Sequence, residues 1–304
     1  MINFYETIDG STTEVFDPHP GCWVNVIDPS RQELVYLRDF FKINPDFIRA
    51  SIDQEERAHI DFDDDLNQCL VIADYPHYVK EEDGYETGPI GIVLIDGYIF
   101  TIGLQDHHIF DDIKTGTLRI DTHKRPRFFL SLMLRMSQKY LAYLRQIDRI
   151  TTQIEKELSK STSNEELLRM LKHEKALVYF STSLRANELT LNRVQRGKYI
   201  FLDEDDQDLL DDVLIEIRQG AEMCSIYKEV INETMDTFSN VISNNLNELM
   251  KKLTIITMVM EIPNMVYGFY GMNVIGLPMA ISWFPFVFSI TMCIVAFLIL
   301  RQIN

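Results

Sequence analysis

Residues 251–273 read KKLTIITMVMEIPNMVYGFYGMN: two lysines, an apolar stretch holding one charge, and the tripeptide Gly271-Met272-Asn273 directly after Tyr270. From Leu253 to Tyr270 the only charge is Glu261, and from Trp283 to Leu300 there is none. Each stretch, about 18 residues, is long enough to cross a hydrocarbon core of roughly 30 Å as a helix. Lys251 and Lys252 stand before the first stretch, Arg301 follows the second, and the connection 271–282 carries no charge. The positive-inside tendency therefore predicts a multi-pass chain with both termini cytoplasmic. Residues 1–10, MINFYETIDG, have no basic stretch followed by an apolar core, so no signal peptide is expected there. Two buried core helices are the alternative, which a terminal helical hairpin charged only at its base fits poorly.

The polar residues of the first stretch share one face. Thr254, Thr257, Glu261, Asn264 and Gly268 are spaced 3, 4, 3 and 4 apart, which aligns them on one side of a helix. Ile255, Ile256, Val259, Met260 and Val266 then face elsewhere. Small and polar residues at this spacing also cement helices together. A glutamate and an asparagine on the same stripe favour a water-filled path, because a carboxylate at membrane depth is costly and marks function. Pro263 deprives Val259 of its backbone donor, so a slight kink is expected there.

Composition sets the outer limits. The net charge is −17; residues 251–304 carry +2, leaving −19 for the first 250. Such a surface repels phosphate backbones and attracts cations, which argues against nucleic acid as a partner. Cys22, Cys69, Cys224 and Cys293 form no CxxC pair and read as reduced thiols rather than a soft-metal site. The seven histidines show no HExxH-like spacing, and Asp61, Asp63, Asp64 and Asp65 do not make a calcium loop, since Leu66 and Ile72 occupy the places of its glycine and closing glutamate. No nucleophile constellation or phosphate-binding glycine loop appears, so no enzyme is expected.

Ahead of the membrane region the pattern changes once. Residues 1–125 mix strands and short helices: WVNVI at 23–27, an amphipathic stretch near 33–41, CLVIADY at 69–75, and IGIVLI and YIFTIGL around Asp96-Gly97, a hairpin signal. Residues 126–204 read as a long helical hairpin turning at 159–164. Residues 205–252 read as a stalk helix continuing into the span 253–270; unbroken from Asp205 to Tyr270, it would run ~100 Å at about 1.5 Å per residue. A loop at 271–282, a second span at 283–300 and a tail at 301–304 complete the chain. The expected class is thus an α+β cytosolic domain, then long helices, then two carboxy-terminal transmembrane helices.

Gly-Met-Asn closing the first of two carboxy-terminal spans resembles the signature of the CorA family of magnesium channels. Residues 247–256, NELMKKLTII, look like that family's stalk-to-membrane junction, and Asn44-Pro45 with Asp53-Gln54-Glu55-Glu56-Arg57 looks like its amino-terminal motif. The resemblance implies a funnel-shaped homopentamer in the cell membrane that passes Mg²⁺, with Co²⁺ and Ni²⁺ as further cargo, through a pore lined by the stalk helix. It makes Gly271, Met272 and Asn273 the selectivity filter. A ring of Asn273 carbonyls would accept hydrogen bonds from the hydrated ion, which suits a cation that dehydrates reluctantly. Counting back from Asn273 places a hydrophobic constriction at Met250 and Leu253, a polar ring at Asn264, and stalk rings at Asn247 and Asp236. It also implies a regulatory Mg²⁺ between subunits at Asp212, within the acidic run Asp203, Glu204, Asp205, Asp206, Asp208, Asp211 and Asp212, of which Asp208 and Asp211 are taken as further ligands. Glu81, Glu82 or Asp83 of a neighbouring subunit would complete that site. The run read alone is a solvated helix end.

Two departures from the family pattern bear on function. Glu261 stands where the family commonly has an apolar residue, and the loop after Asn273 lacks acidic residues. A zinc, cobalt or nickel carrier, proton-coupled through Glu261, is the alternative within the superfamily; a membrane-anchored acidic scaffold is the alternative from another class.

Overall fold

A computed structural model describes residues 1–80, 83–106, 110–115, 117–118, 120–158, 164–196, 199–272 and 283–302. Seven strands, β1 (Ile2–Ile8), β2 (Ser11–Val15), β3 (Trp23–Ile27), β4 (His59–Asp63), β5 (Gln68–Val79), β6 (Gly84–Ile95) and β7 (Tyr98–Gly103), form one sheet. The helices are α1 (Arg31–Asp39), α2 (Pro45–Ser51), α3 (Asp111–Lys114), α4 (Arg125–Leu158), α5 (Asn164–Gln195), α6 (Glu204–Tyr270) and α7 (Phe284–Gln302). The chain divides into two compact units, Met1–Met235 and Asp236–Asn304.

In the first unit the strand order is β2-β1-β3-β7-β6-β5-β4, with β3 and β7 parallel and the other pairs antiparallel. Both faces are covered, which is why the central strands read as nearly continuous apolar runs. On one face Val24, Val26, Leu70, Ile72, Val93, Phe100 and Ile102 pack with Leu37 of α1 and Phe47 and Ile48 of α2. Ser30 starts α1 with a capping box: its side chain accepts from Glu33 N, and Ser30 N donates to Glu33 Oε2 at 2.8 Å. On the opposite face Trp23 lies 5.4 Å from Phe128 of α4 and donates through Nε1 to Thr101 Oγ1, which donates onward to Asn25 Oδ1, both at 2.9 Å. These buried polar atoms satisfy one another instead of leaving a gap in the core.

The hairpin expected at Asp96-Gly97 is present: Ile95 pairs with Tyr98, and Gly97 takes φ +78°. The helices expected at about 126–158 and 163–194 are α4 and α5, while their connection, 159–163, lies outside the described residues. The amino-terminal part of α6 packs on both of them. A Cβ at Gly220 would lie 3.1 Å from Leu184 Cδ1 and 3.6 Å from Leu141 Cδ2, so glycine lets α6 come this close without displacing the Leu184 side chain. Arg218 Nε donates to Glu188 Oε1 at 2.7 Å beside that contact.

The second unit holds the end of α6 and α7. Cys293 Sγ donates to the Val259 carbonyl at 3.6 Å, and the Tyr270 and Phe284 rings stand 6.2 Å apart, so α7 returns along α6. Among the described residues no helix is long and apolar enough to cross a membrane. The spans expected at 253–270 and 283–300 are not delimited by hydropathy: α6 carries Thr254, Thr257, Glu261, Asn264 and Gly268 inside the first, and side chains of the second are described only to Ile299.

Candidate functional site

From residue 253 to the end of α6 the partly covered residues are Ile255, Val259, Ile262, Pro263, Val266 and Tyr270, the side that meets α7. Thr254, Thr257, Glu261, Asn264 and Gly268 are all exposed. The polar stripe is therefore not the cement between α6 and α7, and within one chain it is left bare. Around it and on α7, Met258, Met260, Met265, Phe286, Val287 and Phe297 are exposed as well. A surface this apolar is built for burial against lipid or another chain.

The stripe offers oxygen atoms. Thr254 Oγ1 donates to the Met250 carbonyl and Thr257 Oγ1 to the Leu253 carbonyl, both at 2.8 Å. With their protons turned back to the helix, these hydroxyls present lone pairs outward. Asn264 Nδ2 donates to Glu261 Oε1 at 3.3 Å, which leaves the Asn264 carbonyl and the second Glu261 oxygen for a ligand. Hard cations such as Mg²⁺ take such oxygen donors. A Cβ at Gly268 would touch nothing within 4 Å, so packing inside one chain does not require that glycine.

At the end of α6, Gly271 N donates to the Tyr267 carbonyl at 2.8 Å, and a Cβ there would stand 2.9 Å from the same oxygen. Glycine at 271 is thus needed to close the helix tightly. Met272 is exposed, while Asn273 and the loop to 282 lie outside the described residues. Lower on α6, Asp236, Asn247, Met250 and Leu253 are all exposed. Met250 and Leu253 are 55% and 58% accessible, too open to be core of a single chain.

The regulatory candidates do not assemble among the described residues. Among the described residues no group of three or more His, Cys, Asp or Glu could hold a metal ion. Asp208, Asp211 and Asp212 are exposed, Asp211 Oδ1 accepts from Gln195 Nε2 at 2.9 Å, and Asp83 accepts from the Tyr78 hydroxyl. Glu81 and Glu82 lie outside the described residues. Within the acidic run, Asp206 differs from its neighbours: it is buried, Oδ1 has no hydrogen-bond donor among the described residues, and Arg127 Nη1 stands 3.8 Å away. Burial and neighbouring Asp203 push its carboxyl above the usual carboxylate range. Its place on the apolar face with Leu210 and Val213, four and seven residues further on and on the same side of the helix, is the signal that distinguishes it.

Residues 20–302 match the profile of a family described as CorA-like Mg2+ transporter protein. The chain belongs to the CorA family. It is 26% identical over 289 residues to the cobalt/magnesium transport protein CorA of Methanocaldococcus jannaschii, covering 90% of this chain and 88% of that one. To the cobalt/magnesium transport protein CorA of Thermotoga maritima it is 22% identical over 278 residues, covering 88% and 78%. The complete structure of the M. jannaschii CorA magnesium transporter superposes with a TM-score of 0.81 at 23% identity, over 100% of this chain and 96% of that one. The mixed sheet and long helices described above are thus the CorA fold.

Proposed function

We propose that this CorA-family chain is not an enzyme but a passive divalent-cation channel of the cell membrane, carrying Mg²⁺ with Co²⁺ and Ni²⁺ as further cargo. Copies of the chain bundle as a homopentamer, α6 lines the path from residue 253 to 270, and α7 lies outside it in the lipid bilayer from 283 to 300. The observation that carries the reading is the bare stripe of Thr254, Thr257, Glu261, Asn264 and Gly268, on the side of α6 away from α7 and amid exposed apolar residues. Facing lipid, those oxygens would be desolvated without compensation; facing an axis, they line water. Gly271 and Met272 shape the turn that presents Asn273, whose amide ring holds the hydrated ion through its waters without trapping it.

Transport then needs no nucleotide. An inside-negative potential of about 100 mV supplies roughly 2.3 kcal/mol per elementary charge, or about 4.6 for a dication. Exposed Met250 and Leu253 supply a hydrophobic constriction that closes by dewetting, and Asp236 and Asn247 ring the path below it. Cytosolic Mg²⁺ held between subunits by Asp212, with Asp208, Asp211 and a neighbour's Glu81, Glu82 or Asp83, keeps the pore symmetric and shut, so the cargo inhibits its own entry. Glu261 favours one second reading, a zinc, cobalt or nickel carrier that moves protons through this carboxylate. A scaffold merely anchored by the hairpin leaves the stripe without a role.

The test is uptake into proteoliposomes loaded with a magnesium-sensitive dye. Asn273→Ala is expected to lower Mg²⁺ uptake at least tenfold, the loss of about 1.4 kcal/mol or more of selective stabilisation. Normal uptake by Asn273→Ala contradicts the filter assignment, and a Glu261→Gln variant that loses only its pH dependence favours the proton-coupled reading.

A further inference from the structure

Pro263 sits inside α6 and has no N–H, so the carbonyl of Val259, four residues earlier, lacks its helical donor. The structure places another donor there. Cys293 Sγ, on α7, lies 3.6 Å from the Val259 carbonyl oxygen. Position 293 is one of the covered sites of α7, in register with buried Ser289 and partly covered Ala296, whereas Met292 and Ile294 beside it are exposed. The thiol is therefore directed at α6 by the same face that packs the two helices. A hydroxyl on such a helix tends to bond its own preceding turn, as Thr291 Oγ1 does with the Val287 carbonyl at 2.9 Å. A thiol, a weaker donor, is less committed to its own helix and can reach across.

We propose that Cys293 is a positioning residue for transport: its thiol replaces the donor that Pro263 cannot supply and holds the proline-weakened turn of α6 in one arrangement. Glu261 and Asn264 flank that turn, and their mutual hydrogen bond bridges the proline at 3.3 Å. Fixing the turn fixes where their free oxygens point. The inference rests on the membrane placement proposed above, because in an apolar setting an unpaired carbonyl has no water to turn to.

A double-mutant cycle tests it on the full-length chain, reconstituted in vesicles, with Cys293→Ala, Pro263→Ala and the pair. Pro263→Ala restores the N–H that Val259 needs, so it should make the thiol dispensable. Expected are a change of about twofold or more in Mg²⁺ uptake for Cys293→Ala alone, with a shifted Mg²⁺ to Co²⁺ uptake ratio, and no further change when Cys293→Ala is added to Pro263→Ala. The same effect of Cys293→Ala in both backgrounds, or none in the natural one, overturns the proposal. If wild-type vesicles take up no divalent cation, the transport reading fails separately, and the unfolding midpoints of the same four proteins decide the clamp. A midpoint lowered by Cys293→Ala only when Pro263 is present supports it, and equal lowering in both backgrounds refutes it.

Discussion

Asp74 lies on β5 where the sheet meets α4 and α5, and two side chains hold its backbone through three hydrogen bonds: Asn187 Oδ1 accepts from its N–H at 2.9 Å, while Asn187 Nδ2 and the Tyr140 hydroxyl donate to its carbonyl at 2.7 and 3.2 Å. Its carboxyl is hydrogen-bonded by Ser183, yet burial dominates and pushes it up to about 6. An unfolded aspartate titrates near ~3.9, so the folded state holds this proton more tightly. Between about pH 4 and 6 the native chain therefore binds more protons than the unfolded one, and the contribution of this group to stability falls as pH rises. Asp74→Asn should raise stability at pH 7 by on the order of 1–2 kcal/mol and flatten the pH dependence between about 4 and 6. Unfolding midpoints of both proteins at pH 4.5 and 7.5 check it; an equal or lower midpoint for Asp74→Asn at pH 7.5 contradicts it. Nothing in the string CLVIADY marks that aspartate as half-buried, because its surroundings come from helices more than sixty residues away. Glu261, by contrast, is legible as a lone charge in an apolar stretch, and the structure leaves it exposed on the stripe its spacing predicts.

Among the elements, α2 docks closely on β6 where Ser51 meets Gly91. A Cβ at Gly91 would fall on Ser51 Oγ and Cβ and within 3.1 Å of Ser51 Cα, which is backbone and cannot swing away. Gly91→Ala should destabilise the fold by about 1–3 kcal/mol, and Ser51→Ala should fail to rescue it, since the Ser51 Cβ remains in the way. Chemical denaturation of the single and double variants measures both effects, and full rescue by Ser51→Ala contradicts this packing. The helices were the legible elements: α4, α5 and an α6 continuous from 204 to 270 follow from uninterrupted periodicity, with only Pro263 inside. The Asp96-Gly97 hairpin was equally plain. Asp9-Gly10, with φ of 51° and 77°, makes the same kind of turn between β1 and β2, but these strands are half solvated and carry too many polar residues to stand out as apolar runs. The parallel pairing of β3 with β7 joins segments some seventy residues apart, and local patterning carries no record of such a partner.

At the scale of the whole molecule, much of the candidate site is legible because its chemistry is periodic along one helix. The stripe follows from spacing on a single element, whereas Met250, Leu253 and Gly271 are singled out only through the resemblance to the family. The regulatory carboxylates are different. Asp212 sits on an exposed helix face, and among the described residues no metal-holding group of three carboxylates, histidines or cysteines forms; a residue that another copy would contribute leaves no periodic trace in the sequence. Hydropathy is similarly blunted, because a helix with one polar and one apolar face averages the two. On the function proposed above, copies of this chain meet around an axis lined by the bare stripe of α6. Electron cryo-microscopy of the full-length chain in lipid nanodiscs tests it most directly. A ring of copies is expected, with Thr257, Glu261 and Asn264 of each lining a common axis and Asn273 at its outer mouth; a single copy, or a ring in which these residues face lipid, would rule out such a path.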